Sequence, residues 1–125
     1  MVRDFHRKFG HPERETPRDL VEPRISARYK WMLEELNEFR DAKNIYEQTD
    51  AMIDLIYFAL GTLVEMGVRP EQLFRIVHEA NMSKLFPDGT PHYNEDGKTI
   101  KPPTWVDPEQ KIIDEVEWQR DIHLI

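Results

Sequence analysis

Apolar residues recur at helical spacing along most of the chain. Ile25, Tyr29, Met32, Leu33, Leu36 and Phe39 fall on one face of a helix expected from about Leu20 or Ile25 to Ala42. After a short connection near Lys43 to Glu47, a second long helix runs to Met66, with Gly67 suited to end it in the left-handed conformation. Pro70 has no N–H to lose in a first turn and opens a third long helix, to about Phe86, with Leu73, Phe74, Val77, Ala80 and Leu85 facing inward. Shorter helices are expected at Val2 to Phe9, ended by Gly10, and from Pro108 to about Ile122. Residues 11–23 carry three prolines and read as a loop. Asp96-Gly97 marks a minimal hairpin that pairs residues near Tyr93 with residues near Ile100. The pattern predicts an all-α bundle, a single domain over residues 1–125, in which the first two long helices form an antiparallel hairpin.

One residue breaks the pattern. The second hairpin helix is apolar nearly all round, which predicts protein on most sides of it, yet between Ala51 and Val64 it carries one charged side chain, Asp54. A carboxylate in such surroundings is costly unless a cation or strong donors compensate it. Asp50 lies one turn earlier, and Glu34, Glu35 and Glu38 lie on the preceding helix. In an antiparallel hairpin Glu38 and Asp50 each lie about one turn from the connection, and Glu35 and Asp54 about one turn deeper, so the four meet at similar levels. Glu35 and Glu38 share a stripe with Trp31 and Ala42, bordered by Arg28; Asp50 and Asp54 share one with Tyr57 and Gly61. Carboxylates grouped with aromatics and a glycine describe a pocket wall.

An all-oxygen set without cysteine or paired histidine suits a hard cation, Mg²⁺ or alternatively Mn²⁺; no calcium-loop motif is present. One or two such ions would bridge the oxygens of a di- or triphosphate, and Glu34 or Glu38 is placed to orient and deprotonate a water. The rival readings are plain ones. Glutamates at this spacing are often solvated, Asp50 is a first-turn acid, and Arg28 could satisfy Asp54. In a non-catalytic assembly module the acids would pair with Arg24, Arg28 or Arg40 across a subunit interface.

On the third long helix His78, Asn81 and Lys84 recur every three residues. Asn81 is expected to point inward, either to read a base or sugar edge or to cap a neighbouring backbone. Lys84 either reaches a phosphate or complements the helix end. Lys98 and Lys101, in the turn-rich segment, either close over the site or are ordinary loop lysines. A net charge of -7 with scattered basic residues argues against a nucleic-acid polymer as partner, but not against a small anion bound through metal. Without cysteine there are no disulfides, and neither a signal peptide nor a membrane span is expected, so a cytoplasmic protein is the default.

These residues resemble a known family, the all-α nucleoside triphosphate pyrophosphohydrolases of the MazG-like group and its phosphoribosyl-ATP pyrophosphohydrolase-like branch. Its two acidic elements are matched by Glu34-Glu35-Leu36-Asn37-Glu38 and by Asp50-Ala51-Met52-Ile53-Asp54. The strings Ala80-Asn81-Met82-Ser83-Lys84-Leu85 and Lys101-Pro102-Pro103-Thr104-Trp105, with Asp4 to Gly10 near the start, extend the similarity over roughly residues 2 to 109; residues 110–125 form a helical tail. Many members carry two adjacent acids where this chain has Asp50-Ala51, which leaves the number of ions open. The resemblance implies Mg²⁺-dependent cleavage between the α- and β-phosphates of a nucleotide with release of pyrophosphate, in a homodimer or dimer of dimers. It implies Glu35, Glu38, Asp50 and Asp54 as metal ligands, and Asn81 and Lys84 as nucleotide contacts. Trp31, Tyr57 and Lys101 complete the expected substrate site.

Overall fold

The computed structural model describes residues 1–122 as five helices and one two-stranded hairpin. Helix α1 (Val2–Phe9) closes on Gly10, whose φ of 72° lets its N–H reach back to the His6 carbonyl. Helix α2 (Arg24–Asp41) and helix α3 (Ile45–Met66) are joined by three residues. Asn44 caps α3 by accepting the Glu47 N–H at 2.9 Å, while the Glu47 carboxylate accepts the Lys43 N–H at 2.8 Å. Gly67, at φ 74°, ends α3. Its backbone runs so close to Thr16 that a Cβ there would sit 2.4 Å from the Thr16 carbonyl oxygen. Helix α4 (Pro70–Met82) starts on its proline as expected and stops about a turn sooner than its apolar pattern predicts. Strands β1 (His92–Tyr93) and β2 (Thr99–Ile100) pair antiparallel, with Tyr93 opposite Thr99, and helix α5 (Glu109–Asp121) follows.

By backbone contacts the described chain forms two compact units, one of residues 1–69 with residues 119–122, the other of residues 70–118. In the first, Arg24 and Arg28 near the start of α2 meet Glu65 near the end of α3, so the two helices are antiparallel. The second holds α4 and the hairpin.

The faces of α2 differ from expectation. Its apolar stripe does not look inward: Ile25, Leu33, Leu36 and Phe39 are exposed, and Tyr29 is 65% exposed. The stripe turned to α3 is the mixed one, Arg24, Arg28, Trp31, Glu35 and Glu38, with Arg28 buried. Helix α3, expected to be wrapped on most sides, leaves Ile53 57% exposed in the single chain, along with Ile56. On α4 the buried side chain is Ile76, whereas Phe74 and Val77, and Leu85 just beyond the helix, all expected inside, are exposed. Periodicity located these helices correctly, but it cannot say which of two faces packs against the same chain and which is left exposed. No single helix among the described residues is long and apolar enough to cross a membrane.

Candidate active site

The inner stripes of α2 and α3 build three layers. At the deep end Glu65, 1% exposed, takes a bidentate pair from Arg24, with Nε at 2.8 Å and NH2 at 2.9 Å, and a third bond from Arg28 Nε. Burial pushes the Glu65 carboxyl up, but the bonds and charges of the two arginines outweigh it, and its pKa is lowered. Arg28 NH2 faces His6 Nε2 at 3.4 Å, and His6 Nδ1 lies 2.7 Å from the Pro12 carbonyl oxygen. A carbonyl only accepts, so Nδ1 carries the proton and Nε2 receives the Arg28 donor. Gly61 makes room for this meeting: a Cβ there would lie 2.9 Å from both Arg28 NH1 and His6 Nε2. Sequence reasoning missed Glu65. Its signal was the arginine pair Arg24 and Arg28, one turn apart on the stripe that also carries the carboxylates.

The middle layer is a cavity of about 220 Å³ lined by Phe5, His6, Arg28, Trp31, Tyr57 and Phe58, with His11 at its edge. Trp31 and Tyr57 thus come together, as expected, while Phe5 and His11 were not foreseen. The rings hold each other: Trp31 and Phe58 lie 6.0 Å apart, and Phe5 meets Tyr57 edge-on at 5.7 Å. The guanidinium carbons of Arg24 and Arg28 lie over Trp31 at 5.4 and 5.1 Å.

The third layer is acidic. Glu35 is half-buried, and its Oε2 is buried with no hydrogen-bond partner. Its carboxyl is pushed up to about 7, first by burial, then by the adjacent Glu38, then by the charges of Asp54 and Asp50. Asp54 is raised by burial, Asp50 and Glu38. Glu38 and Asp50 line an open cavity of about 380 Å³ with Asn37, Asp41 and Glu47. Height and stripe therefore bring Glu35, Glu38, Asp50 and Asp54 together. Among the described residues none of the four forms a salt bridge, because Arg24 and Arg28 serve Glu65 and Arg40 pairs with Asp41 at 3.0 Å. Arg28 therefore does not satisfy Asp54. Glu34 is exposed and is not among the carboxylates that raise Glu35 or Asp54.

As these side chains stand, no three among the described residues converge closely enough to hold a metal ion. The chemistry nonetheless fits one: oxygen donors only, mutual repulsion unrelieved by any cation of the chain, and a buried oxygen lacking a partner. Ala51, where relatives were expected to carry an acid, is 1% exposed and packed inside the bundle.

The remaining candidates belong to the second unit. Asn81 is exposed rather than inward, since it follows the outer side of α4 instead of the Ile76 side. Lys84 is half-buried, Lys101 and His78 are exposed, and both lysine ammonium groups lie over the Trp105 ring.

Comparison with known proteins supplies a family and a structure. Residues 2–81 match the family phosphoribosyl-ATP pyrophosphohydrolase. A crystal structure from Exiguobacterium sp. 255-15, whose protein carries the provisional designation NTP pyrophosphohydrolase, is 31% identical and superposes with a TM-score of 0.57, covering 98% of this chain and 95% of that one. No curated protein matches.

Proposed function

The chain belongs to the phosphoribosyl-ATP pyrophosphohydrolase family, and from that premise we propose that it is a cytoplasmic, Mg²⁺-dependent nucleoside triphosphate pyrophosphohydrolase that cleaves between the α- and β-phosphates and releases pyrophosphate. The observation that carries the reading is Glu35, whose buried, partnerless oxygen lies among three further carboxylates that no side chain cation relieves. Glu35, Glu38, Asp50 and Asp54 would hold the metal, Mg²⁺ or alternatively Mn²⁺. When bound, the ion supplies charge neutralisation on the phosphates and a more acidic water.

The chain's own residues supply the rest. Glu38, exposed at the mouth of the acidic layer, accepts a proton from the attacking water at a carboxylate oxygen, with Glu34 as the alternative base. Trp31 and Tyr57 offer flat apolar surface to a base within their cavity. Asn81, Lys84 and Lys101 are the candidates for further nucleotide contacts. Beneath the cavity, the Glu65 lock holds Arg28 and His6 still, which preserves its floor. The exposed apolar stripe of α2 supports a homodimer or dimer of dimers as the working form.

The test is pyrophosphate release from a panel of nucleotides with Mg²⁺. Asp54→Asn and Glu38→Gln are each expected to lower turnover by at least about a hundredfold, in the range seen when general acid–base groups are removed. Full activity in both variants would overturn the residue assignment. A chain that bound nucleotide and Mg²⁺ without turnover would instead be a sensor, and one whose melting temperature ignored both ligands an assembly module.

A further inference from the structure

We infer that Arg28 reads the base of the substrate: its NH1 group donates to a carbonyl oxygen, so the site prefers the keto bases uracil, thymine, guanine and hypoxanthine to the amino bases cytosine and adenine. Arg28 is 5% exposed and lines the aromatic cavity of about 220 Å³. Two of its three side-chain nitrogens serve the protein, Nε donating to Glu65 and NH2 to His6 Nε2. NH1 has no hydrogen-bond partner among the described residues. Nor is it sealed in: the fully enclosed side-chain atoms that lack a partner there are Glu35 Oε2 and Arg69 NH1. A guanidinium nitrogen held this deep is costly unless an acceptor meets it. The cavity that Arg28 lines is where an acceptor can enter.

The surroundings select the acceptor. Glu65 is bonded by both arginines, and His6 is fixed through Nδ1 to the Pro12 carbonyl, so neither is free to turn to a ligand. Phe5, Trp31, Tyr57 and Phe58 supply walls that suit a flat ring. A phosphate would exchange its water there for aromatic carbon and one donor, at a high desolvation cost. The cavity is smaller than the roughly 300–1,000 Å³ that encloses a drug-sized ligand, so it takes a base and leaves the sugar and phosphates outside. The glycosidic bond then points outward, and the exocyclic group across the base from it, at C4 of a pyrimidine or C6 of a purine, enters first. NH1 only donates, and the lining holds no carboxylate and no side-chain amide to accept from an amine. The acceptors that remain, the Tyr57 hydroxyl and the His11 ring, belong to exposed residues. A carbonyl is paired at the floor, whereas an amine sets donor against donor.

The preference rests on the pyrophosphohydrolase reading for its nucleotide and narrows it; the substrate in the family's name, an adenine nucleotide, falls on the disfavoured side. The experiment compares kcat/KM for pyrophosphate release with Mg²⁺ within two pairs, UTP against CTP and ITP against ATP. Each pair differs at that one edge of the base. UTP and ITP are each expected to exceed their partners by about tenfold or more, the scale of a buried donor paired against one left unpaired. Arg28→Lys keeps a positive charge beside Glu65 but removes NH1, and should bring both ratios to within about twofold of one. A ratio within one preparation does not depend on how much of it is folded, so a destabilised variant still reports. A merely structural Arg28 would lower all four substrates alike and leave the ratios standing. Ratios near one in the unaltered chain, or ratios unchanged in Arg28→Lys, would overturn the proposal. Absent turnover of every nucleotide would instead sink the hydrolase reading. Calorimetric titration with the four nucleotides carrying a methylene α–β bridge, in Mg²⁺, then reads the preference as a ratio of dissociation constants. Tighter binding of the keto member of each pair supports the role of Arg28; equal affinities, or no binding, overturn it.

Discussion

Glu35 and Glu65 are two carboxylates of one hairpin with opposite fates. Glu35 is raised from 4.5 to about 7 because the fold gives it burial and negative neighbours. Below pH 4.5 it is protonated whether or not the chain is folded; between 4.5 and about 7 the unfolded chain releases that proton while the fold retains it. The metal-free protein therefore loses stability from Glu35 as pH climbs through that window, and loses no more of it above. Melting curves in EDTA should show this decline, Glu35→Gln should flatten it, and added Mg²⁺ should raise the melting temperature most at the upper end, where ligands are ionised. Identical profiles for the two proteins would remove Glu35 from the acidic layer. Glu65 works the other way. Its lowered pKa stabilises the fold above the ordinary glutamate range, and that contribution disappears as pH falls through its folded value. Glu65→Gln strips the partner from two arginines and is expected to cost about 3–5 kcal/mol in denaturant unfolding, as for other broken buried pairs. Of these two residues only Glu35 was legible in the sequence. Carboxylate spacing on neighbouring helices announces a shared site, whereas a single glutamate near a helix end is silent until its arginines are seen.

Among the elements, the ends were the most legible parts, because capping chemistry is local. Gly10 and Gly67 close α1 and α3 in the left-handed region, and Pro70 opens α4, each where the residue type predicted it. The turning of faces was not legible: the mixed stripe of α2 meets α3 because Glu65 and Gly61 lie opposite it, a pairing that no period within one helix contains. Asp50 depends on such an end. It lies in the second turn of α3, and the first turn is held by the Asn44 side chain on Glu47 N–H. Asn44→Ala is expected to destabilise the chain by about 1 kcal/mol, the usual worth of an N-cap. Fraying of that turn also loosens Asp50, so magnesium affinity should fall in the same variant, while Glu109→Ala at the start of α5 should leave it unaffected. Equal metal binding in both variants would mean that Asp50 needs no ordered first turn.

At the scale of the whole molecule, what stands out is how little apolar surface the chain covers by itself. Among the described residues the buried apolar side chains are Ala51, Val68, Ile76 and two loop prolines, Pro17 and Pro102, whereas Ile25, Leu33, Leu36 and Phe39 line one outer face of α2 and Ile53 and Ile56 lie exposed on α3. A monomer seldom keeps so continuous an apolar stripe in water, and the hairpin's own interface is spent on ions and aromatics. In the homodimer or dimer of dimers we propose, a second copy meets this stripe, with about 800 Å² covered on each partner in an interface of ordinary size. Light scattering should therefore give a dimer or tetramer, and the melting temperature should rise with protein concentration, since association binds only the folded chain. Leu36→Asp places a charge in the middle of that stripe, one residue from Glu35 but on a different face of α2. It is expected to shift the protein to monomer and to lower its melting temperature, whereas Asn37→Asp, exposed on the same turn, should leave assembly intact. A Leu36→Asp protein that stayed fully assembled would show that subunits meet through some other surface and that the α2 stripe is left in water.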